Sequence, residues 1–326
     1  MTRPLPVIAI VTPYLAEANN GNWRTAHRWR LLLRNRYKII VQNAWPLQPA
    51  REVDALIALH ALRSAESAHR FRTQYPDGPL IVTLTGTDLY RDLNDSVKAI
   101  DTIAVADALI VLQDDAITYV PKEFRHKTHV IYQSATSLNP AKKTRTPLNC
   151  VVVGHLRSEK DPETIFRWVE SLPESLPLRI LHIGAPLDEA LAAKARRLSA
   201  HGGRYHWAGA LPHGLTRAAI KRADVLIHPS VMEGGANVIV EAISSGTPVI
   251  ASRMSGNVGM LGKNYSGYFP VGDATALGLL INRCIDDANF LSRLNAACAA
   301  RAKLFLPETE RASLCRMIDK LLERKH

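Results

Sequence analysis

The segment SVMEGGANVIVEAISSGTPVIAS, residues 230–252, links two apolar runs through a glycine pair. ADVLIHPS (223–230) and TPVIAS (247–252) are typical of buried strands, and the text between them predicts a loop and then a helix that begins near Asn237. Gly246 suits the left-handed position that ends many helices. The segment therefore predicts a strand–loop–helix–strand unit of an α/β fold.

Two carboxylates lie eight positions apart in this unit. Glu233 follows the first strand and Glu241 lies within the helix. Glycines let a backbone approach a bulky ligand, and a helix N-terminus favours a diphosphate. Glu233 is therefore predicted to hold sugar hydroxyls and Glu241 the ribose of a nucleotide sugar. The donor-binding residues predicted here are Gly234, Gly235, Ala236, Asn237 and Glu241.

Short apolar runs alternate with helical patterns along the whole chain. Continuous Val/Ile/Leu runs predict strands that are buried on both faces of a parallel sheet. The predicted strands of the first half are 7–11, 37–43, 55–60, 79–88, 107–113 and 128–134, with a loop at 19–22 and a helix at 23–36. Those of the second half are 149–156, 178–184, 204–211, 223–230 and 247–252, and the last twenty residues predict a helix.

The alternation of apolar runs and helical patterns stops at residues 136–148, where prolines and basic residues indicate a linker. The sequence thus predicts two doubly wound, Rossmann-like domains. The predicted domains span residues 1–145 and residues 146–305. Residues 306–326 are predicted to form a final helix. Ligands of such sheets bind at the carboxyl ends of the strands.

Composition excludes several classes of protein. The net charge of +11 indicates an anionic ligand, but 6% aromatic residues and the lack of a nucleic-acid-binding motif argue against nucleic acid. The four cysteines have neither disulfide nor zinc spacing. No secretory signal or apolar run of about 20 residues is recognisable, so we expect a cytoplasmic protein without stable membrane insertion.

The pattern P-S-x-x-E-G-G-x-N-x-x-x-E-A-x-x-x-G-x-P-V-I-A-S resembles the E-x7-E signature of retaining glycosyltransferases with the GT-B fold. These enzymes use nucleotide-sugar donors. The resemblance implies two Rossmann-like domains that face a cleft. Residues 1–145 are then expected to bind the acceptor and residues 146–305 the donor, and the helix of residues 306–326 is expected to cross back and pack on the N-terminal domain. It also implies that HWAGALP (206–212) reads the base through its backbone.

A second segment, VVVGHLRSEKDPET (151–164), resembles the part of the same enzymes that clamps the diphosphate. Lys160 matches the family's lysine. His155 occupies the usual arginine position, so we expect Arg157 to take over that role, because a guanidinium suits phosphate oxygens better than imidazole. Gly154 and His155 are expected to line the donor. The chain has no D-x-D motif, so neither a metal nor a cofactor is expected.

The segments GNWRTAHRW, ALHALRS, LTGTDLYRDL, VIYQSA, GHLRSEKDP, MEGGANV and GYFPVGD together resemble a narrower family, the selenosugar synthases of selenoneine biosynthesis. In that family a UDP-sugar, either UDP-N-acetylglucosamine or UDP-glucose, reacts with selenophosphate to form a C–Se bond. The resemblance implies the same donor and acceptor here. It also implies that the product passes to a downstream C–Se bond-forming enzyme.

A small dense anion needs backbone N–H groups and arginines. The residues expected to bind the acceptor lie on three loops of the first domain: Asn20, Gly21, Asn22, Arg24, Thr25 and Arg28; His60; and Thr85, Gly86, Thr87, Asp88 and Arg91. His60 could line the site, pack in the core or act as a general base. Glu233, Lys160 and Arg157 are the expected catalytic residues.

Three other interpretations stay open. Residues 23–36 have an apolar stripe flanked by arginines, which suits either the core or a membrane surface, so a peripheral enzyme with a lipid acceptor is one alternative. The second is a nucleotide-sugar-binding protein without catalysis. The third is a UDP-sugar hydrolase or epimerase.

Overall fold

The computed structural model describes residues 4–15, 21–143, 146–173, 175–200 and 203–324. The chain divides into two compact units. Residues Met1–Gln133 and Pro307–His326 form unit 1, and residues Ser134–Leu306 form unit 2. Each unit contains one six-stranded sheet with only parallel pairs.

The strand order in unit 1 is β2-β1-β3-β4-β5-β6. The strands are β1 Val7–Val11, β2 Lys38–Gln42, β3 Ala55–Leu59, β4 Leu80–Leu84, β5 Ala108–Val111 and β6 Thr128–Val130. The helices of the first part of this unit are α1 Gly21–Leu33, α2 Ala65–Gln74, α3 Leu93–Asp95 and α4 Val97–Ala104.

The strand order in unit 2 is β12-β11-β10-β7-β8-β9. The strands are β7 Leu148–Val153, β8 Leu178–Ile183, β9 Tyr205–Trp207, β10 Val225–His228, β11 Val249–Ser252 and β12 Tyr268–Phe269. The helices are α5 Pro162–Glu170, α6 Glu189–Ala200, α7 His213–Arg222, α8 Asn237–Ile243, α9 Ser255–Leu261, α10 Ala274–Asp286 and α11 Ala288–Arg301; α12, Pro307–Glu323, then belongs to unit 1.

The sheet of unit 1 is covered on both faces, as continuous apolar strands require. Ala9 and Val11 of β1 belong to one apolar cluster, whereas Ile8 and Ile10 belong to the other. The second cluster also contains the buried stripe of α1 and the apolar face of α12: Ala26, Trp29, Leu33, Leu314, Met317, Ile318 and Leu321. The apolar stripe of α1 therefore packs in the core rather than facing a membrane. Within the described residues, no helix is both long and apolar enough to cross a bilayer.

Several sequence predictions about local structure were wrong. The strand expected at 79–88 ends at Leu84, because the chain turns at Thr85–Thr87 into a π-helical segment, Asp88–Asp92. The strands expected at 128–134 and 204–211 end at Val130 and Trp207. In the loop expected at 19–22, Gly21 and Asn22 are helical, and residues 19–20 lie outside the described residues. By contrast, the helix expected near Asn237 begins there, and Gly246 has the predicted left-handed backbone with a φ of 69°.

A buried ion pair joins the two helices on this face of unit 1. Arg28 Nε of α1 donates to both carboxylate oxygens of Glu310 in α12, at 3.2 and 3.0 Å. The indole Nε1 of Trp29 also donates to Glu310, at 2.6 Å. The Glu310 side chain is fully buried and that of Arg28 is 18% exposed. A second pair, Arg36 with Asp319, is mostly exposed. These contacts anchor α12 to α1 through Glu310.

Candidate functional site

The carboxyl ends of β7, β10 and β11 lie side by side in the sheet of unit 2. The loop after β7 carries Lys160, the loop after β10 carries Glu233, and α9, which follows β11, carries Gly256 in its first turn. Neighbouring parallel strands bring such loops to one edge of a sheet. Residues as far apart in the chain as Lys160 and Gly256 therefore share one small site.

Lys160 is held by a tight turn. It ends a short 3₁₀ segment, Ser158–Lys160, and the next residue, Asp161, has a left-handed backbone with a φ of 45°. The Asp161 side chain accepts from the N–H of Thr164 at 3.3 Å and so caps α5. The Lys160 side chain lies beside Gly154, where an added Cβ would be about 3.5 Å from it. The turn and the glycine direct the ammonium towards the loop after β10.

Glu233 is the partner of the Lys160 ammonium group. Lys160 Nζ forms a short ion pair with Glu233 Oε1, and the two side chains are 19% and 13% exposed. His228 Nε2 lies 3.4 Å from the same oxygen. Burial alone would raise the pKa of Glu233, but the charge of Lys160 and the contact with His228 outweigh it and hold the pKa well below its ordinary value. Glu233 is thus an ionised carboxylate at neutral pH.

Two glycines allow the loops to pack closely. A Cβ at Gly256 would overlap the carbonyl oxygen of Glu233, and a Cβ at Gly184 would overlap that of Gly154. Neither glycine has a positive φ, so both are needed for space rather than for an unusual backbone. The backbone around Glu233 is therefore fixed by contact with the start of α9.

We expect Gly256→Ala to displace Glu233 and to weaken both activity and stability. The added methyl would meet the carbonyl oxygen, carbonyl carbon and Cβ of Glu233, which can move only with the backbone. We therefore expect at least a tenfold fall in turnover, or about 1.4 kcal/mol, and a lower Tm. Steady-state kinetics and thermal unfolding measure both effects. The control is Gly214→Ala in α7, where no atom lies within 4 Å of the added Cβ and the helix gains up to about 1 kcal/mol. Equal effects of the two substitutions would contradict this prediction.

Glu241 lies on α8, one turn into the helix, and is buried. Its Oε1 is 2.7 Å from Nε2 of His213, the first residue of α7. Arg217, one turn further along α7, donates to Thr136 O at 2.8 Å, and burial lowers its pKa while Glu241 opposes that shift. Glu241 therefore has a cationic neighbourhood and one carboxylate oxygen already engaged.

The other residues that were predicted to bind the donor differ in their exposure and in their contacts. His155 Nδ1 accepts from the N–H of Ala185 at 3.0 Å, which ties the loop after β7 to the loop after β8. The Arg157 side chain is about half exposed and lies 3.8 Å from Glu159. The structure thus brings Lys160, but not Arg157, into contact with Glu233. Gly234, Gly235 and Ala236 form the link from Glu233 to Asn237, the first residue of α8.

In unit 1 the ends of β3 and β4 meet at one edge. His60, after β3, has a left-handed backbone with a φ of 77°, which is strained for a non-glycine residue. Its Nε2 is 3.0 Å from Thr87 Oγ1, and its Nδ1 accepts from the N–H of Arg63 at 3.3 Å. Burial lowers the pKa of His60 although Asp88 opposes the shift. His60 is therefore a neutral, hydrogen-bonded side chain at this edge.

Asp88 holds the loops at the same edge of the sheet together through hydrogen bonds. It is fully buried and accepts from the N–H groups of Ala61, Thr85 and Gly86, at 2.9, 2.8 and 2.8 Å. These contacts fix the turn after β4. They also occupy backbone N–H groups that an anion would need as hydrogen-bond donors. Arg91 is half exposed and pairs with Asp92 at 3.0 Å.

The remaining acceptor residues predicted from the sequence lie on α1. Thr25 is buried, donates to Gly21 O at 2.9 Å and accepts from Gln133 at 2.7 Å. Arg28 is engaged by Glu310 as described above. Asn22 and Arg24 lie partly buried in the first turn of α1, and Asn20 lies outside the described residues. Their role in acceptor binding stays a prediction.

Sequence reasoning missed His228. It stands in the quoted strand ADVLIHPS, but one histidine in an apolar run gives no signal of its own. Only the position at the carboxyl end of a strand, five residues before Glu233, could have indicated it. Arg63 was also missed; it donates to the Tyr14 hydroxyl at 2.9 Å, between the loops after β1 and β3.

A family model described as "Glycosyl transferases group 1" matches residues 136–303. The D-inositol 3-phosphate glycosyltransferase of Streptomyces griseus subsp. griseus is 32% identical over 171 residues, which cover 47% of this chain and 34% of that protein. A second such enzyme, from Corynebacterium kroppenstedtii, is also covered to 34% of its length. The chain thus spans about a third of the length of these curated relatives.

Solved structures match nearly the whole chain. Sucrose-phosphate synthase from Thermosynechococcus elongatus superposes with a TM-score of 0.79 at 17% identity, covering 98% of this chain and 100% of that one. HepE from Anabaena in complex with UDP-glucose gives a TM-score of 0.73 at 16% identity, covering 97% and 100%. The two parallel sheets therefore have the GT-B architecture that was expected from the sequence.

Proposed function

The chain belongs to the glycosyl transferases of group 1, and from that premise we propose that it transfers a sugar from a UDP-sugar donor. The observation that carries the proposal is the ion pair of Lys160 with Glu233, at the carboxyl ends of β7 and β10. Glu241 lies eight residues further on, which matches the spacing of the E-x7-E signature. The UDP-glucose bound in the similar HepE supports the choice of donor.

In the proposed reaction, Lys160 neutralises the negative charge that develops on the departing UDP. A cation at that position stabilises the transition state more than the ground state. Glu233, which is ionised, accepts hydrogen bonds from the hydroxyl groups of the transferred sugar. Glu241 accepts from the ribose through the oxygen that His213 does not occupy. The reaction so proposed uses no metal ion, and it should continue in the presence of EDTA.

We further propose that the acceptor is selenophosphate and that the product is a selenosugar. The anomeric carbon loses its bond to the β-phosphate oxygen of UDP and gains a bond to selenium, so UDP leaves with the electron pair of the broken bond. The product of that step still carries the phosphoryl group on selenium. Water then takes this group as the P–Se bond breaks, which releases phosphate and leaves the selenol of the selenosugar. The sequence resemblance to selenosugar synthases supports this acceptor. The guanidinium groups of Arg63 and Arg91 at the edge of unit 1 suit a small anion. The selenosugar is expected to serve as substrate for a downstream C–Se bond-forming enzyme.

The test is release of UDP from UDP-N-acetylglucosamine and from UDP-glucose, each with and without selenophosphate, with mass spectrometry of the products. We expect UDP release that depends on selenophosphate, and a product with the mass and isotope pattern of a selenium-containing sugar. EDTA is present in one arm, and inorganic phosphate replaces selenophosphate in the control arm.

The other outcomes separate the alternatives. UDP release without any acceptor would identify a hydrolase, and conversion of the donor without UDP release would identify an epimerase. Release that depends on a sugar or lipid acceptor but not on selenophosphate would keep the glycosyltransferase and overturn the selenium chemistry. Tight binding of UDP with no turnover under any condition would overturn catalysis altogether.

A further inference from the structure

His228 is a buried polar group that none of the proposed steps uses. It is the last residue of β10, and its side chain is only 1% exposed. Its Nε2 has no hydrogen bond of good geometry among the described residues, although Glu233 Oε1 lies 3.4 Å away. A buried polar nitrogen without a partner costs about 1–3 kcal/mol, so such an arrangement needs an explanation.

Glu233 Oε1 has two neighbours of opposite character. Lys160 reaches it from a loop through a flexible four-carbon chain, and the ammonium also suits phosphate oxygens. His228 reaches it from the central part of the sheet, where the backbone of β10 pairs with both β7 and β11. Lys160 is thus the neighbour that can leave, and His228 is the neighbour that stays.

Resting on the proposed function, we propose that His228 is a positioning residue that keeps Glu233 oriented and ionised when Lys160 turns to the diphosphate of the donor. In the free protein Lys160 holds Glu233, and the contact with His228 is long. In the donor complex the imidazole N–H closes on Glu233 Oε1 and replaces the lost ion pair with a hydrogen bond.

The electrostatics of the site agree with this exchange. Burial lowers the pKa of His228, with Lys160 adding to the shift and Glu233 opposing it, so the imidazole is neutral and carries one proton. The proposal places that proton on Nε2, the nitrogen that faces Glu233. Burial by itself would raise the pKa of Glu233, and the groups that oppose this are Lys160 and His228. When Lys160 is neutralised by phosphate, His228 is the remaining group that favours the carboxylate.

Two substitutions separate the hydrogen bond from the volume of the side chain. His228→Gln keeps an N–H near the position of Nε2, whereas His228→Phe fills the space without a donor. We expect UDP to bind the Gln variant within about threefold of wild type and the Phe variant at least about tenfold more weakly, where tenfold in affinity is about 1.4 kcal/mol. Calorimetry with UDP measures both affinities.

The same titrations report the protonation of Glu233. Neither variant has an imidazole, so a difference in proton uptake between them reports Glu233 once Lys160 has left it. We expect the Phe variant to take up at least about 0.3 proton more per UDP bound at pH 6 than the Gln variant, measured in buffers of different ionisation enthalpy. Equal proton uptake and equal affinity in the two folded variants would overturn the proposal.

A measurement on the wild type keeps the proposal testable if His228→Phe does not fold. Long-range ¹H–¹⁵N NMR, assigned with His228→Gln, reports the tautomer of His228 in the UDP complex. We expect a proton on Nε2, and an unprotonated Nε2 would overturn the proposal. Failure of wild type to bind UDP would instead count against the proposed donor, so the two failures are distinguishable.

Discussion

Lys160→Met is expected to lower the rate of UDP release at saturating donor by at least about 100-fold. Removing one preorganised group that stabilises developing charge costs about 10²–10³ in turnover. The substitution also removes the ion pair of Glu233 and leaves His228 as its partner among the described residues, so the KM for the donor should rise. Glu233→Gln is expected to cost at least tenfold, because the amide keeps the shape but loses the charge. Steady-state kinetics with UDP-N-acetylglucosamine or UDP-glucose measure both.

Lys194→Met is the matched control for this experiment. Lys194 pairs with Glu163 at 2.8 Å and its side chain is 21% exposed, close to the 19% of Lys160. It lies on α6, and its partner lies on α5. We expect this variant to retain turnover within about twofold of wild type, because a partly exposed ion pair of this kind is worth at most about 1 kcal/mol. Wild-type rates in Lys160→Met and Glu233→Gln would overturn the assigned site.

Arg28→Met is expected to lower the free energy of unfolding by about 3 kcal/mol. Breaking a buried pair leaves an uncompensated charge, which typically costs about 3–5 kcal/mol. The lower end applies because Arg28 is 18% exposed and Trp29 still donates to Glu310. Urea unfolding followed by tryptophan fluorescence measures the loss, since Trp29 lies beside the pair.

Arg36→Met provides the comparison on the same pair of helices. Its partner Asp319 also accepts from the Tyr37 hydroxyl, and the Arg36 side chain is 61% exposed. We expect a loss below about 1 kcal/mol, as for other surface pairs. Equal losses in the two variants would show that burial of Glu310 does not decide the stability of this face. UDP release with and without selenophosphate, measured on folded Arg28→Met, tests its predicted role in acceptor use separately.

Most of the fold could be predicted because buried parallel strands have a recognisable pattern in the sequence. Runs such as VIAIV at 7–11 are apolar on both faces, and such text has few other interpretations. The failures have physical causes. Tyr268–Phe269 is too short to give a pattern, and β4 ends early because the turn at Thr85–Thr87 is held by the buried carboxylate of Asp88.

The candidate site was only partly visible in the sequence. Glu233, Lys160 and Glu241 stand in motifs whose spacing indicates nucleotide-sugar chemistry. His228 has no motif of its own, because its significance depends on a 3.4 Å contact across a loop. Arg28 presents the opposite case. Its position on a basic helix favours an anion site, but the partner that engages it, Glu310, lies 282 residues away in the chain.

The return of α12 to unit 1 has a consequence for how the chain is made. Unit 2 is continuous from Ser134 to Leu306, whereas unit 1 needs residues from both ends of the chain. The face of the first sheet that α12 covers must therefore wait while the whole of unit 2 is synthesised, roughly 10 to 40 seconds at 5–20 residues per second. During that interval Trp29 and Leu33 lack their partners Leu314 and Ile318. The nascent protein on the ribosome thus exposes an apolar surface, and we expect chaperones to bind this surface until α12 emerges.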